Sequence, residues 1–223
     1  MDLRNSARGF TKLQAQFRGN KSRRIHTERA RNNLPWSPFV PAKLEAVYAL
    51  LEVANLQPGE TMLDIGSGDG RVVIEAAVQC LELKKARGVE LDEALVGLSK
   101  RRILERANQE AMKSIGSHEQ DVKQNKISFA ATTLIERVEI VHADFMDVEM
   151  NDVDVVVLFF LPHEQLANAL QTKLRPGTRV VTYVFQIAQW KPVKVISTVP
   201  FMTAKGSSPI YLYQVPDVTW RQG

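Results

Sequence analysis

The sequence has little of what several protein classes need. Its 223 residues contain a single cysteine, Cys80, which excludes an internal disulfide framework and a multi-cysteine metal site. The longest apolar run, 155–161, is far shorter than the ~18 residues that would cross a bilayer, so we expect no transmembrane segment. The N-terminal region also lacks the apolar centre of a secretory signal. With 44% hydrophobic and 24% charged residues, the composition is typical of globular proteins.

Excess positive charge is confined to the first 34 residues. This basic arm (residues 1–34) holds nine Lys/Arg and two acidic residues, a net of +7, whereas the remainder has a net of −3 within the overall +4. A mildly acidic body argues against a nucleic-acid-binding surface, so no nucleic-acid partner is expected. The arm also spaces Leu3, Phe10, Leu13 and Phe17 between arginines. A mitochondrial transit peptide and a disordered basic tail both fit this pattern. The expected location is mitochondrial, with the cytoplasm as the alternative.

Strands and helices alternate along the rest of the chain. Three prolines, Pro35, Pro38 and Pro41, hold the chain extended before a helix predicted at 44–54. The predicted strands are 61–65, 86–91, 138–143, 154–160 and 178–185, separated by helices predicted at 72–80, 92–107 and 163–174. Two further strands, 193–199 and 210–215, can pair as a hairpin. This alternation predicts an α/β fold with a doubly wound, mostly parallel sheet whose C-terminal strand is antiparallel.

Residues 108–136 do not fit the alternation. They are longer than a connection in a compact domain, and they mix polar residues with the stretch AATTLIE. We predict an extended helix end followed by a mobile insertion. The expected organisation is therefore the basic arm followed by one domain at 35–223.

The turn after the first predicted strand, DIGSGDGR, departs from a dinucleotide-binding fingerprint. The pattern G-x-G-x-x-G would need a glycine at position 71, where Arg71 stands. Gly66, Gly68 and Gly70 alternate instead, so the backbone can come close to whatever lies against the turn. Asp64 closes the strand, where its charge would repel a pyrophosphate but suit a cationic ammonium. Ligands of open α/β sheets bind at this edge, although a tight turn without a ligand is the structural alternative.

LDIGSGDGR resembles the first motif of the seven-stranded (class I) S-adenosylmethionine-dependent methyltransferases, which have a Rossmann-like sheet. The resemblance implies that S-adenosyl-L-methionine is the cofactor and that no metal is needed. It implies cofactor contacts at nine residues: Asp64, Gly66, Ser67, Gly68, Gly70, Glu90, Leu91, Asp144 and Phe145. On this resemblance the glycine turn lies against the methionine part of the cofactor, and Asp64 holds its amino group.

Two further motifs support this resemblance. GVELD places Glu90 at the end of the second strand, where it would accept from both ribose hydroxyls, and Leu91 would cover the adenine. VHADF places Asp144 after the third strand, where it would accept from the adenine amine beside Phe145. Each acid alone fits a surface position or a helix cap. Three acids that end three successive strands favour the cofactor.

A narrower resemblance covers residues 35–200. PFVPAK, FFLP and RPGTRVV…WKP occur, in this order, in a group of bacterial, archaeal and mitochondrial enzymes. Its mitochondrial members are the protein-lysine methyltransferases of the adenine nucleotide translocase and the ATP synthase c subunit. The resemblance implies methyl transfer to a lysine of a protein, with a mitochondrial inner-membrane protein as a candidate substrate. The chain lacks the apolar membrane-anchoring segment of the best-known animal members.

The segment after the fourth strand indicates the acceptor. Enzymes that methylate nucleobase amines carry [DN]-P-P-[YF] there, whereas this chain has Phe160, Leu161 and Pro162. These three predicted catalytic residues would form an apolar sleeve around a lysine stem. Burial in the sleeve would lower the pKa of the lysine amine, so that no dedicated base is needed to remove its proton.

Further residues are predicted beside this sleeve. Phe39, Tyr183 and Trp190 are predicted to line the substrate pocket, with core packing as the alternative for Phe39 and Trp190. His163 and Tyr183 can assist proton transfer, or serve only as helix-start and strand residues. A small-molecule methyltransferase and a non-catalytic cofactor-binding subunit remain the alternative functions.

Overall fold

The computed structural model describes residues 39–113, 133–160 and 164–216. The basic arm, most of the predicted insertion and residues 161–163 lie outside these ranges. The chain divides into two units, Met1–Val40 and Pro41–Gly223. Phe39 and Val40 are the described residues of the first unit, and both are exposed.

The second unit alternates strands and helices as the sequence predicts. Its helices are α1 (Leu44–Ala54), α2 (Arg71–Gln79), α3 (Glu93–Lys113) and α4 (Glu164–Lys173), and residues 133–137 are also helical. Its strands are β1 (Thr61–Ile65), β2 (Lys85–Glu90), β3 (Val138–His142), β4 (Val155–Leu158), β5 (Arg179–Tyr183), β6 (Lys194–Thr198) and β7 (Ser208–Gln214). A 3₁₀ turn, Phe145–Asp147, follows β3. None of the described helices is long and apolar enough to cross a bilayer.

Within the described residues one sheet has the strand order β3-β2-β1-β4-β5-β7-β6. Strands β1 to β5 are parallel, and β7 is antiparallel to both β5 and β6. The structure confirms the predicted fold class, including the predicted hairpin. The strand order reverses between β1 and β4, and ligands of such sheets bind at this point, beyond the carboxyl ends of the strands.

Two hydrophobic core clusters lie on the two faces of the sheet. Along β4, Val155 and Val157 belong to the first cluster, whereas Val156 and Leu158 belong to the second, as the two-residue period of a strand requires. Helices α1, α2 and α3 contribute to the first cluster and α4 to the second. Because both faces of the sheet are covered, every residue of β4 is apolar, and apolar and polar residues do not alternate along this strand.

Two elements differ in length from the sequence prediction. Helix α3 continues to Lys113, where Glu110 pairs with Arg106 and Lys113 at 2.7 Å each, so the predicted extended helix end is present. The mobile insertion predicted after it falls largely outside the described residues. Strand β5 ends at Tyr183 because Val184 has a φ of +69°, in the left-handed region that does not continue a strand.

Candidate cofactor and acceptor site

The glycine turn connects β1 to α2 at the point where the strand order reverses. Gly66, Gly68 and Gly70 have φ values of +73°, +56° and +77°, which residues with a Cβ rarely adopt. The N–H groups of Gly66 and Ser67 donate to the Val89 carbonyl at 2.8 and 3.0 Å. The alternating glycines therefore fold the backbone back onto β2.

Helix α3 supports the turn from one side. The hydroxyl of Ser99, which is fully buried, lies 2.7 Å from the Gly68 carbonyl and 2.9 Å from that of Leu95. A Cβ on Gly70 would lie 3.0 Å from the Ser99 Cβ, closer than most side chains pack. Gly70 is thus needed both for its φ and for the close approach of α3.

Glu90 fixes the turn to the end of β2. Its Oε2 accepts from the Gly68 N–H at 2.8 Å, and its Oε1 accepts from the N–H groups of Leu91 and Asp92 at 2.9 Å each. The side chain is buried, with 7% exposure. Because a carboxylate oxygen has two lone pairs, Oε2 retains the capacity to accept from a ligand hydroxyl. The predicted ribose contact of Glu90 stays a prediction.

Asp64 is a buried acid at the end of β1. It is 4% exposed, and no donor among the described residues hydrogen-bonds its carboxylate. Burial raises the pKa of Asp64 well above its usual range, and the negative charges of Glu90 and Asp69 raise it further. A buried carboxylate without a partner is costly, and a cationic group of a ligand would compensate for that cost. Asp64 therefore fits the ammonium of S-adenosyl-L-methionine.

Asp69 lies in the same turn and has the opposite electrostatic environment. Arg71 binds it through two bonds, Nε to Oδ1 at 2.9 Å and Nη2 to Oδ2 at 2.5 Å, and Arg102 of α3 also contacts Oδ2. Burial opposes ionisation of Asp69, but the hydrogen bond and charge of Arg71 and the charge of Arg102 hold its pKa below the usual value. The pKa values of these two neighbouring acids are thus shifted in opposite directions.

This arginine network is missing from the sequence prediction. The third nitrogen of Arg71, Nη1, contacts the Ala42 carbonyl just before α1, so one guanidinium links the turn to the start of the domain's first helix. The signal in the sequence that could have indicated this network was Arg71 itself. It stands two residues after Asp69, at the position of the third glycine in the dinucleotide-binding pattern G-x-G-x-x-G. In the sequence, Arg71 indicated only that the turn does not bind a dinucleotide, and not that its side chain binds Asp69.

Ser67 faces the interior of the turn. Its side-chain oxygen is buried without a hydrogen-bond partner among the described residues, and a Cβ on Gly88 would lie 2.6 Å from it. Gly88 of β2 is therefore needed to leave room for Ser67. Whether Ser67 contacts the cofactor, as predicted, is not tested by this packing.

The predicted adenine side lies beyond β2 and β3. Asp144 is exposed, and its Oδ1 accepts from the Met146 N–H at 2.9 Å, which caps the 3₁₀ turn. Phe145 packs at the margin of the second core cluster, and Leu91 is half-buried. The three predicted acids therefore lie at the carboxyl ends of three adjacent strands, as the sequence predicts: Asp64 near the end of β1, Glu90 as the last residue of β2 and Asp144 just after β3. Their contacts with adenine and ribose stay predictions.

The acceptor side begins at the end of β4. A Cβ on Gly66 would lie 3.4 Å from Cδ1 of Phe160, so this predicted catalytic residue lies directly against the glycine turn. Leu161 and Pro162, the other two predicted catalytic residues, lie outside the described residues, as does His163. The wall that the structure shows beside the turn is thus aromatic and apolar.

Two of the three predicted pocket residues, Tyr183 and Trp190, pack in different core clusters. Tyr183 is fully buried in the first core cluster, and its hydroxyl donates to the Val199 carbonyl at 3.0 Å. Trp190 is 7% exposed in the second cluster, where its ring packs edge-on against Tyr213 at 6.1 Å. Phe39 belongs to the other unit of the chain. For Trp190 the structure shows the core packing that was the alternative interpretation.

No group of His, Cys, Asp or Glu within the described ranges is arranged to hold a metal ion. The glycine turn with its positive φ values, the buried acid at its start and the acid at the end of β2 fit a nucleoside that carries an amino acid through a sulfonium, as S-adenosyl-L-methionine does. When bound, this cofactor supplies an electrophilic methyl group on a positively charged sulfur.

Comparisons with known proteins agree with this geometry. Residues 38–196 match the family described as Histone methylation protein DOT1. A protein-lysine N-methyltransferase of Saccharolobus islandicus is 30% identical over 184 residues, which cover 82% of this chain and 96% of the relative. The adenine nucleotide translocase lysine N-methyltransferase of mouse is 30% identical over 80% of this chain, which spans 63% of that relative's length.

A solved structure shows the same fold. It is an RNA methyltransferase of Salinibacter ruber in complex with S-adenosyl-L-homocysteine. The TM-score is 0.59 and the identity 25%, over 80% of this chain and 95% of that one. The chain therefore belongs to the class I S-adenosylmethionine-dependent methyltransferases, in the family that its protein-lysine N-methyltransferase relatives represent, and S-adenosyl-L-methionine is its cofactor.

Proposed function

We propose that this enzyme is a protein-lysine N-methyltransferase. The observation that carries the proposal is the position of Phe160, whose ring lies against Gly66 at the end of β4. An aromatic, apolar wall beside the turn suits the aliphatic stem of a lysine, and it offers no acceptor for the planar amine of a nucleobase. The printed names of the Saccharolobus, mouse and Xenopus laevis relatives support the same acceptor.

The three acids divide the binding of the cofactor between them. Asp64 would pair with its amino group, Glu90 would accept from its ribose hydroxyls, and Asp144 would accept from its adenine amine. In this arrangement the methionine part of the cofactor would lie on the glycine turn, next to Phe160. Residues Gly66, Gly68 and Gly70 keep the backbone close enough for this contact.

The chain's contribution to the reaction is to position and desolvate the lysine. Burial of the amine in an apolar channel, beside a cationic ligand, lowers its pKa, so the proton leaves to solvent without a dedicated base. The free amine would then be the nucleophile for the methyl group that the bound cofactor supplies, with the sulfur as leaving group that keeps the electron pair of the broken bond. Holding the two reactants in line is the main catalytic effect.

The expected acceptor is a mitochondrial inner-membrane protein. The support is the names of the mouse and Xenopus relatives, which act on the adenine nucleotide translocase and the ATP synthase c subunit, together with the basic arm of this chain. A fluorescent fusion with residues 1–34 should enter mitochondria of cultured cells, and a fusion without them should not. Import that persists without the arm would contradict the mitochondrial address.

Transfer of label from S-adenosyl-L-methionine tests the acceptor. Solubilised adenine nucleotide translocase, ATP synthase c subunit, core histones and total RNA are offered separately to the purified chain. Base-stable label that maps to lysine in a protein supports the proposal. Label in RNA would favour the acceptor class of the Salinibacter neighbour, and label confined to the small-molecule fraction of a cell extract would favour a small acceptor. Cofactor binding without any acceptor would indicate a non-catalytic subunit.

A further inference from the structure

Strand β5 ends in a strained residue. Val184 has a φ of +69°, and the other non-glycine residue with a positive φ in the described ranges is Asn55, at +48°. Asparagine often adopts this conformation at the end of a helix, as Asn55 does after α1. A β-branched residue rarely does, and such outliers persist only where the surroundings enforce them, often at functional sites.

Three hydrogen bonds hold the backbone around Val184 in this conformation. The Phe185 N–H donates to the Tyr183 carbonyl at 2.8 Å, which closes a γ-turn around Val184. The Val184 N–H donates to the Pro209 carbonyl at 2.8 Å. The hydroxyl of Thr182, which is 1% exposed, donates to the Phe185 carbonyl at 2.6 Å. The backbone on both sides of Val184 is therefore fixed.

The turn lies on the acceptor side of the sheet edge. Thr182 of β5 pairs in register with Leu158, the last residue of β4, so the segments after these two strands are neighbours. The ring of Phe159 packs 4.8 Å from that of Tyr183, while Phe160 lies on the glycine turn. At the carboxyl edge of the sheet, the strained turn after β5 is therefore the neighbour of the segment that begins with Phe159 and Phe160 after β4.

Phe185 is the aromatic residue that directly follows the strained residue. It is half-buried, and it is not among the apolar side chains that pack on either core cluster of the described residues. Val184 itself packs on the first cluster, and Ile187, two residues after Phe185, is fully buried in the second. Phe185 thus lies between two anchored residues without joining either core.

We propose that Phe185 contacts the acceptor lysine and that Val184 is the positioning residue that holds it there. This inference rests on the proposed function and gives Phe185 the role that the sequence assigned to Trp190. An aromatic ring beside the channel would pack on the lysine stem and would attract the methylated ammonium that forms. The strain at Val184 restricts the turn to one conformation, which fixes the ring before the substrate arrives.

Two substitutions of the turn and one control test the proposal. Val184→Gly removes the strain and frees the turn, and Phe185→Ala removes the ring. Asn55→Gly relaxes a positive φ at the end of α1 and serves as the matched control. Each variant is assayed with S-adenosyl-L-methionine, and with adenine nucleotide translocase, ATP synthase c subunit and core histones offered as acceptors. The thermal midpoint and the cofactor dissociation constant are measured in parallel.

We expect Phe185→Ala and Val184→Gly to lower kcat/KM for the acceptor by about tenfold or more, mainly through KM. The cofactor dissociation constant should stay within twofold of the wild-type value, and Val184→Gly should change the thermal midpoint little, because the relief of strain offsets the lost packing on the first core cluster. Asn55→Gly should retain wild-type kinetics. Phe185→Leu should recover part of the loss, because it restores apolar contact without the ring.

The proposal fails if both turn variants keep wild-type kcat/KM on an acceptor that the wild-type chain methylates. It also fails if their loss follows cofactor affinity or thermal stability instead of acceptor KM. A wild-type chain that methylates none of these proteins would overturn the proposed function and this inference together, so the two kinds of failure are distinct.

Discussion

The two halves of the sheet edge use different chemistry. The cofactor half, beyond β1, β2 and β3, is polar: Glu90 accepts three backbone N–H groups and Asp69 binds two arginines. The acceptor half, beyond β4 and β5, is aromatic, with Phe160 on the glycine turn and Phe185 after a strained residue. Directed hydrogen bonds would hold a charged ligand of fixed shape, whereas the lysine stem of the proposed substrate, which must lose its proton, would need a wall without charge.

The halves also differ in how their parts are held. On the cofactor half, side chains fix the backbone of a flexible glycine turn. On the acceptor half, backbone hydrogen bonds and buried aromatic rings fix a turn that no glycine relaxes. Substitutions of acids should therefore change cofactor binding and stability, and substitutions of the aromatic half should change acceptor kinetics.

The largest effect should come from Asp69→Ala. Removing this buried acid leaves Arg71 and Arg102 without their shared partner, and we expect a loss of about 2–3 kcal/mol in the free energy of unfolding, because breaking a buried pair leaves charges uncompensated. Denaturant titration measures it. Asp152→Ala is the matched control, since Asp152 pairs with Arg87 at 3.3 Å on the surface and should cost at most ~1 kcal/mol. Equal losses would show that the network does not fix the turn.

Glu90→Ala should weaken cofactor binding by about 1.5–3 kcal/mol, as for a charge-assisted hydrogen bond. The contacts of Glu90 leave two explanations, because it can act on the ribose or only through the turn. Calorimetry with S-adenosyl-L-homocysteine and its 2′-deoxy analogue separates them. If Glu90 accepts from the ribose, removing the hydroxyl weakens the wild-type complex but not the variant's. An equal penalty in both proteins would show that Glu90 acts through the turn alone.

Asp64 and Asp69 should give opposite pH dependences of stability. The raised pKa of Asp64 contributes stability that is fully present below the ordinary carboxyl pKa and is lost as the pH rises through the raised value. The lowered pKa of Asp69 contributes stability that is present above the ordinary value and is lost as the pH falls through the lowered one. Denaturant titrations across pH should show that Asp64→Asn removes the first dependence and keeps the second.

The carboxyl group of Asp64 should also make cofactor binding depend on pH. Because an ammonium pairs with ionised Asp64, binding should release a proton, and apparent affinity should rise with pH through the raised pKa. Calorimetry in buffers of different ionisation enthalpy measures the proton count. A wild-type count equal to that of Asp64→Asn would contradict the pairing.

The smallest effect should come from Asp144→Asn. Asp144 is exposed, so its contact with the adenine amine competes with water, and we expect a loss of about 0.5–1 kcal/mol in cofactor affinity. Asp147→Asn changes a neighbouring exposed acid of the same 3₁₀ turn and should leave affinity unchanged. A larger loss for Asp147 than for Asp144 would contradict the assignment of the adenine side.

Local patterns predicted the fold and the positions of the three acids. The bounds of β1 match the prediction, β2 is shifted by one residue at both ends, and β3 differs by one residue at its end, because apolar runs and turns set them. The end of β5 was placed two residues too late, because a valine at positive φ has no signal in a strand-like run. The contact of Arg102 with Asp69 was also missed, because it joins residues 33 positions apart.

The sequence by itself determined the cofactor, because the glycine turn and the acids that end the strands are encoded by contiguous motifs whose geometry is local. Only the tertiary structure decided which aromatic residues of the 183–190 segment pack in a core. Tyr183 and Trp190 pack in cores on opposite faces of the sheet, whereas Phe185 joins neither. The face on which a side chain packs depends on where β5 ends and on which surfaces β7 and α4 cover. The spacing of residues within the 183–190 segment encodes neither the end of β5 nor these surfaces.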